Sequence, residues 1–174
     1  MSWRMRIILI AAASCFVVFL LLVAMGRIRA YTIPTTAMHP TIARNETVFM
    51  EGITYFFHAP RIGEIVVFKT DGIESLKEGT FYVKRIAGKP GDTLRIADGK
   101  LYVNDKHLPL ANAAGEITYT NFPNSPFLSS PTKSITVPEG HYFVLGDNSP
   151  NSADSRMYGS IPAKNIRGRI LWRQ

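Results

Sequence analysis

The chain has 174 residues, of which 20 are basic and 13 acidic, so its formal net charge is +7 and its length allows one modest domain plus a membrane-length segment. The basic residues are scattered and form no long block, which argues against nucleic-acid binding and favours a general attraction to anionic lipid headgroups. The single cysteine, Cys15, excludes an intrachain disulfide, and the histidines lack metal-ligand spacing, so we expect no metal and no other cofactor.

The first predicted element is an apolar segment from Ile7 to Met25, interrupted only by the mildly polar Ser14. At about 1.5 Å per residue, its length roughly matches the ~30 Å hydrocarbon core of a bilayer. Arginines lie on both sides, so the charges alone give no orientation. Two interpretations fit: an uncleaved anchor over residues 7–25, or a signal peptide cleaved near Ala24-Met25-Gly26. The run is longer than a typical signal-peptide core, which favours the anchor.

From residue 30 to residue 174 the sequence predicts one all-β domain, because short segments rich in β-branched and aromatic residues alternate with Gly, Pro, Asn and Asp. Asp98-Gly99 is typical of a tight two-residue hairpin turn. Residues 105–133 are predicted to form a loop excursion with one short strand at Glu116–Thr120. No long amphipathic helix follows the apolar segment, so the sheets should be mostly antiparallel. The other predicted strands are Thr47–Met50, Glu64–Phe68, Thr80–Ile86, Thr93–Ile96, Lys100–Val103, Ser134–Val137, His141–Leu145 and Arg167–Trp172.

Four motifs follow the apolar segment. They are P-T-T-A-M-H-P-T at residues 34–41, R-I-G-E-I-V-V-F at 61–68, Y-V-K-R-I-A-G-K-P-G-D at 82–92 and G-D-N-S-P-N-S-A-D-S-R at 146–156. In this order they resemble the motifs of the type I signal peptidases, in whose first motif a serine precedes Met-x-Pro-Thr. Here that position is Ala37. The resemblance spans residues 31–172 and implies a signal-peptidase-like all-β fold behind one N-terminal transmembrane helix.

The resemblance also implies a Ser/Lys dyad, with Ala37 at the nucleophile position and Lys84 as general base. A serine hydroxyl needs a base to remove its proton. A lysine can serve only when burial among apolar groups lowers its pKa and leaves the amine neutral. Lys84 has apolar neighbours in a predicted strand, whereas Lys89 in the following turn should face water.

The remaining members of the site come from the same resemblance. The backbone N–H of Ala37 and the hydroxyl of Thr35 would donate to the developing oxyanion. Ser152 would hydrogen-bond and orient the lysine amine. Met38 would line the floor of the substrate pocket.

Three charged residues would form a structural network, in which Arg85 and Arg156 bracket Asp154. Arg85 should point to the opposite face of its strand from Lys84. Asp147-Asn148 would form a turn that positions the last motif against the lysine strand.

Alanine has no oxygen to attack a carbonyl, so we considered its neighbours as replacements. In an extended segment Thr36 would point away from Ala37. Thr35 would lie roughly 6.6 Å along the chain at ~3.3 Å per residue, too far for near-attack geometry. The chain is therefore expected to bind substrate and to cleave poorly or not at all.

Three functions remain open. The resemblance favours a membrane-bound signal peptidase of the bacterial inner membrane, with residues 1–6 cytoplasmic, the β domain extracytoplasmic, and Ala37 a deliberate replacement of serine. Its partners would be membrane lipid and signal-peptide-bearing precursors, of either general export or pilin processing, and not nucleic acid. The second function is a natural pseudo-protease that binds such precursors without cutting them. A self-cleaving repressor-like protease is disfavoured by the anchor and by the lack of a DNA-binding helical region.

Overall fold

The computed structural model describes residues 2–173. Met1 and Gln174, the ends of the predicted N-terminal segment and β domain, lie outside the described residues. The first helix, α1, spans Trp3–Ala24. Among the described residues it is the one helix long and apolar enough to cross a membrane, by length and composition. It begins four residues before the predicted Ile7, because nothing in the preceding residues breaks a helix and arginine is a good helix former.

An all-β domain follows, and its only α-helix within the described residues is the four-residue α2, Ser155–Tyr158. This confirms the predicted fold class. All of the predicted strands outside the excursion are present, with ends shifted by at most two residues. The strands are β1 Ile28–Thr32, β2 Thr47–Glu51, β3 Ile65–Lys69, β4 Phe81–Gly88, β5 Thr93–Ala97, β6 Lys100–Val103, β7 Lys106–His107, β8 Ala111–Asn112, β9 Gly115–Glu116, β10 Ser134–Thr136, β11 His141–Leu145, β12 Ile161–Pro162 and β13 Ile166–Arg173.

The strands form three antiparallel sheets. The largest has seven strands in the order β1-β2-β13-β3-β4-β11-β12, the second has the order β10-β5-β6-β7, and β8 pairs with β9. The predicted hairpin joins β5 to β6, and Asp98 and Gly99 both have positive φ, 50° and 76°, as a type I′ turn requires.

The excursion departs from the prediction. It contains the three two-residue strands β7, β8 and β9 instead of one strand at Glu116–Thr120. Of that predicted strand only Glu116 is in a strand, as part of β9, which pairs with β8, and Ile117–Thr120 is irregular. The N–H of Ile117 donates to Leu110 and that of Tyr119 to Gly99, so consecutive bonds go to different segments and no ladder forms. Both side chains are buried, which explains why their apolar character suggested a strand.

The seven-stranded sheet curls, so that its edge strand β1 approaches β4. The rings of Tyr31 on β1 and Phe81 on β4 lie 5.3 Å apart, although β2, β13 and β3 separate these strands within the sheet. A buried apolar cluster that includes Ile33, Met38 and Val83 fills the concave side. The curl therefore brings the segment after β1 next to the strand that carries Lys84.

Candidate active site

A cavity of about 470 Å³ opens on the concave side of the sheet. It lies between residues 31–35 with Ala37 on one side and residues 80–84 on the other. Thr35, Ala37 and Lys84, which come from motifs far apart in the chain, thus line one cavity. A larger cavity of about 610 Å³ lies behind Tyr82 but contains neither Ala37 nor Lys84, so the chemistry belongs to the smaller one.

Ala37 is buried in a turn. The N–H of His39 donates to the Thr36 carbonyl at 3.0 Å, so the expectation of an extended segment here is wrong. Thr36 is exposed and does not line the cavity, whereas Thr35 does. Among the described residues, no acceptor takes the Ala37 N–H. That N–H is free to donate to a ligand.

Lys84 is 4% exposed. Its Nζ donates to the Val83 carbonyl at 3.1 Å and lies 5.5 Å from the centre of the Tyr82 ring. Burial lowers the pKa of Lys84 from its ordinary 10.5 to about 8, against the opposing charges of Asp154 and Asp147. No ion pair among the described side chains includes Lys84. Near pH 8 about half of the lysine is therefore a neutral amine that can accept a proton.

Ser152 lies against the nucleophile segment through Gly146. A side chain at Gly146 would overlap both the Ser152 hydroxyl and the Ala37 carbonyl oxygen, so glycine is required where the Ser152 side chain and the Ala37 backbone meet this segment. The Ser152 Oγ is buried without a hydrogen-bond partner among the described residues. The predicted bond between Ser152 and Lys84 is thus not formed, and the lysine amine donates instead to the carbonyl of the preceding residue in its own strand.

Asn148 joins the last motif to the first. Its backbone N–H donates to the Ala37 carbonyl and its side-chain amide donates to the Thr36 carbonyl, each at 3.0 Å. Thr41 adds a second link by donating its hydroxyl proton to Asp147. The sequence placed Asp147-Asn148 in a turn but gave no role to Gly146 or Thr41, because neither residue type signals a partner so far along the chain.

Arg85 is paired with Asp147 and not with the predicted Asp154. Its Nε and Nη2 donate to the two carboxylate oxygens at 2.8 and 2.5 Å, and its Nη1 donates to the Gly63 carbonyl at 2.8 Å. The reason is register: Arg85 lies opposite Leu145 of β11, two residues before Asp147. Burial by itself would lower the pKa of Arg85, but the hydrogen bond and charge of Asp147 outweigh it and the pKa is raised.

Asp154 and Arg156 form a fully buried ion pair, with both side chains 0% exposed. Arg156 binds both carboxylate oxygens through Nε and Nη2, at 2.8 and 2.7 Å. Its remaining N–H groups donate to the Thr120 carbonyl in the excursion and to the hydroxyl and carbonyl oxygens of Ser149 in the last motif. Asp154 also accepts the Gly146 N–H at 3.0 Å. The pair therefore holds the backbone that contacts Ala37.

Met38 does not line the cavity. It is 1% exposed and packs one layer beneath, with Ile33 and Val83, which are lining residues. Within the described residues no group of three or more His, Cys, Asp or Glu side chains is placed to hold a metal ion.

Comparison with known proteins identifies relatives over most of the chain. A family model described as "Signal peptidase, peptidase S26" matches residues 4–173. The chain is 37% identical over 142 residues to "Probable signal peptidase I-2" of Synechocystis sp. (strain ATCC 27184 / PCC 6803 / Kazusa), covering 81% of this chain but only 60% of that protein. It is 32% identical over 169 residues to "Signal peptidase IB" of Staphylococcus aureus (strain Mu50 / ATCC 700699), covering 92% of this chain and 85% of the relative. The crystal structure of a signal peptidase I from Enterococcus faecalis V583 is 29% identical, with a TM-score of 0.48, and the match covers 66% of this chain and 98% of that one.

Proposed function

This chain belongs to the signal peptidase family, peptidase S26, and from that membership we propose that it recognises exported precursor proteins and is built to cut off their signal peptides by a Ser/Lys dyad. Position 37 carries alanine, so the chain as written binds these substrates without efficient cleavage. The observation that carries the proposal is the common cavity of Ala37 and Lys84, in which burial gives the lysine a pKa of about 8.

Substrate binding follows from two free strand edges beside the cavity. Within the described residues, β1 pairs only with β2, and β11 pairs with β4 only from Arg85 onward, so Phe81–Lys84 has one unpaired edge. An extended peptide can add as a strand between such edges, with main-chain hydrogen bonds giving affinity and alternate side chains entering the cavity. The apolar wall there suits small apolar residues, in keeping with a cut after an A-x-A-like site.

The chemistry requires a serine at position 37. Neutral Lys84 would take the hydroxyl proton as the oxygen attacks the scissile carbonyl, and the resulting ammonium would later give a proton to the leaving amine. The backbone N–H of residue 37 and the Thr35 hydroxyl would donate to the oxyanion. The alanine retains the N–H but supplies no attacking oxygen. The residual rate would then rest on binding and oxyanion stabilisation alone.

The location that we propose is the bacterial inner membrane. The apolar residues 7–25 within α1 would form the single anchor, residues 1–6 would be cytoplasmic, and residues 30–174 would form the extracytoplasmic domain. The length and composition of α1 support the anchor. An anchor so close to β1 would hold the cavity near the headgroups, where precursors emerge.

A natural pseudo-protease is the second candidate. The structure retains a substrate-sized cavity, an unoccupied Ala37 N–H and the loop contacts around them, which are the parts needed to hold a precursor. Such a protein would bind exported or pilin precursors and protect or present them.

Restoring the serine separates the two candidates. Ala37→Ser would be incubated with a precursor that carries an A-x-A site, alongside the same variant carrying Lys84→Ala. Lys89→Ala is the matched control, because this exposed lysine belongs to the same motif but lies outside the cavity. We expect cleavage by the serine variant and its Lys89→Ala derivative, and none with Lys84→Ala. A folded serine variant that binds the precursor but never cuts it would favour the pseudo-protease.

The anchor has its own test. N-terminal sequencing of the chain extracted from membranes should begin at the start of the chain. A sequence starting near Arg27 would show that the apolar segment is removed and would contradict the anchor.

A further inference from the structure

A third cavity, of about 500 Å³, lies where the chain leaves α1. It is lined by Arg27 just after α1, by residues of the 52–60 loop, by Tyr142 and Ala163, and by the start of β13. None of the described residues lines both this cavity and the site cavity. We name it the juxtamembrane cavity. Nothing in the proposed dyad chemistry uses it.

The position of this cavity relative to α1 is set by Arg27. The helix ends at Ala24, and the N–H of Arg27 donates back to the Leu22 carbonyl at 2.8 Å. The Arg27 carbonyl in turn accepts the Gly52 N–H at 2.7 Å, which holds the 52–60 loop against the helix exit. If α1 crosses a bilayer, residues this close to its end lie at the level of the headgroups.

Two arginines, Arg27 and Arg167, line the juxtamembrane cavity. No ion pair among the described side chains includes either one. Lys69 binds Asp71 at 2.6 Å and is the main cause of that carboxyl's lowered pKa, to which Arg167 adds only a weaker charge effect. Both arginines therefore keep donors for an anion.

Two other carboxylates beside the cavity are bound by a different arginine. Glu51 and Glu64 are both bound by Arg169, at 2.6 and 3.4 Å. Glu64 also accepts the hydroxyl proton of Tyr55, a residue that lines the cavity. Arg169 thus offsets part of the acidic charge beside the cavity and leaves Arg27 and Arg167 available.

The rim of the cavity is aromatic. Phe56 and Phe57 are 58% and 75% exposed. The guanidinium carbon of Arg27 lies 4.5 Å from the centre of the Phe56 ring, so a cation and an exposed ring are stacked at the helix exit. Exposed aromatic rings beside arginine are typical of the membrane–water interface. His58, also exposed, completes this rim.

We propose that the juxtamembrane cavity binds the phosphodiester headgroup of an anionic phospholipid. Arg27 and Arg167 would donate to the phosphate oxygens, since the planar guanidinium fork suits phosphate better than a point charge does. Phe56 and Phe57 would enter the boundary between headgroups and acyl chains. The inference depends on the proposed membrane span of α1 but not on the dyad, so it holds whether or not the serine variant is an active peptidase.

Lipid binding by the full chain in micelles of an uncharged detergent tests the proposal. Phosphatidylglycerol or phosphatidylcholine would be titrated in, and the lipid-bound fraction measured by native mass spectrometry. We expect preferential retention of phosphatidylglycerol. Arg27→Gln and Arg167→Gln should each weaken that binding about fivefold, and the double variant about 25-fold. Binding of phosphatidylcholine should not change.

Arg95→Gln is the matched control. Arg95 is also stacked on a ring, that of the half-buried Tyr102 at the same 4.5 Å, but it lies on β5 and does not line the cavity. It should retain the full preference for phosphatidylglycerol. Arg27→Lys keeps the charge and should lose less binding than Arg27→Gln, provided that both unfold at the same temperature as the parent.

Three outcomes would overturn the proposal. The first is an equal loss of binding in Arg95→Gln, which would indicate only net charge. The second is an undiminished preference in the Arg27/Arg167 double variant. The third is displacement of the lipid by millimolar inorganic phosphate, which would assign the cavity to a free anion.

Discussion

The two faces of β4 bury two neighbouring cations with opposite results. Lys84 is 4% exposed and Arg85 8%. Burial lowers the pKa of Lys84 to about 8, yet the pKa of Arg85 is raised. The difference is Asp147, which binds Arg85 through both carboxylate oxygens and makes no hydrogen bond to Lys84. Burial sets the cost of each charge, and the presence or absence of a bound carboxylate decides whether that charge is kept.

The largest expected effect is on catalysis in the Ala37→Ser background. Lys84→Arg places a cation there that cannot lose its proton, so cleavage should fall by about 10²–10⁴-fold, the usual contribution of a general base. In the serine variant that retains Lys84, the rate should rise with pH through an apparent pKa near 8, because only the neutral amine is a base. Rates measured from pH 6 to 9.5 would check both points. A flat profile would show that Lys84 is not the base.

Substitution of Arg85 should lower the stability of the folded domain. Arg85→Met leaves Asp147 buried and without its counter-charge, so the free energy of unfolding should fall by about 3–5 kcal/mol. Urea unfolding in mild detergent would measure this loss. Lys69→Met is the comparison, because the pair of Lys69 with Asp71 is partly exposed and should contribute no more than about 1 kcal/mol. Equal losses in the two variants would contradict the distinction between buried and exposed pairs.

Substitution of Lys84 by an apolar residue should instead raise the stability of the folded domain at neutral pH. Because its folded-state pKa, about 8, lies below the ordinary 10.5, the buried ammonium costs stability below pH 8, and that cost disappears as the pH rises toward 10.5. Lys84→Met should therefore raise the free energy of unfolding at pH 7, by at most about 3 kcal/mol.

The same measurement has an internal check. Between pH 8 and 9.5 the parent should gain stability relative to Lys84→Met, since only the parent has this lysine to deprotonate. Urea unfolding at pH 7, 8 and 9.5 would follow the difference. A constant difference across this range would mean that the lysine keeps its ordinary pKa.

The smallest effects concern two buried serines near this site. Ser155 accepts the Val144 N–H at 2.9 Å, whereas the Ser152 hydroxyl has no partner among the described residues. Ser155→Ala should cost about 1–2 kcal/mol, because it leaves a buried N–H unsatisfied. Ser152→Ala should change stability by no more than about 0.5 kcal/mol. Thermal unfolding of both variants would compare them, and a larger cost at Ser152 would indicate a hydrogen bond to that hydroxyl.

Local patterns predicted the elements that depend on local physics. The β5–β6 hairpin follows from the alternation of its strands and from Asp98-Gly99, whose positive φ angles are a property of the turn itself. The irregular Ile117–Thr120 was predicted as a strand because burial, and not pairing, selected its apolar residues. The two-residue strands β7, β8, β9 and β12 are too short to show any period.

The sequence by itself determined the apolar segment, the all-β class and the identities at positions 37 and 84, since these depend on composition, alternation and motif order. Only the tertiary structure decided that Asp147, and not Asp154, pairs with Arg85, and that Lys84 is buried with no carboxylate bound to it. Those choices depend on the register of β4 against β11 and on the curl that brings β1 to β4. Both are long-range properties, and no short stretch of the chain contains both partners of such a contact.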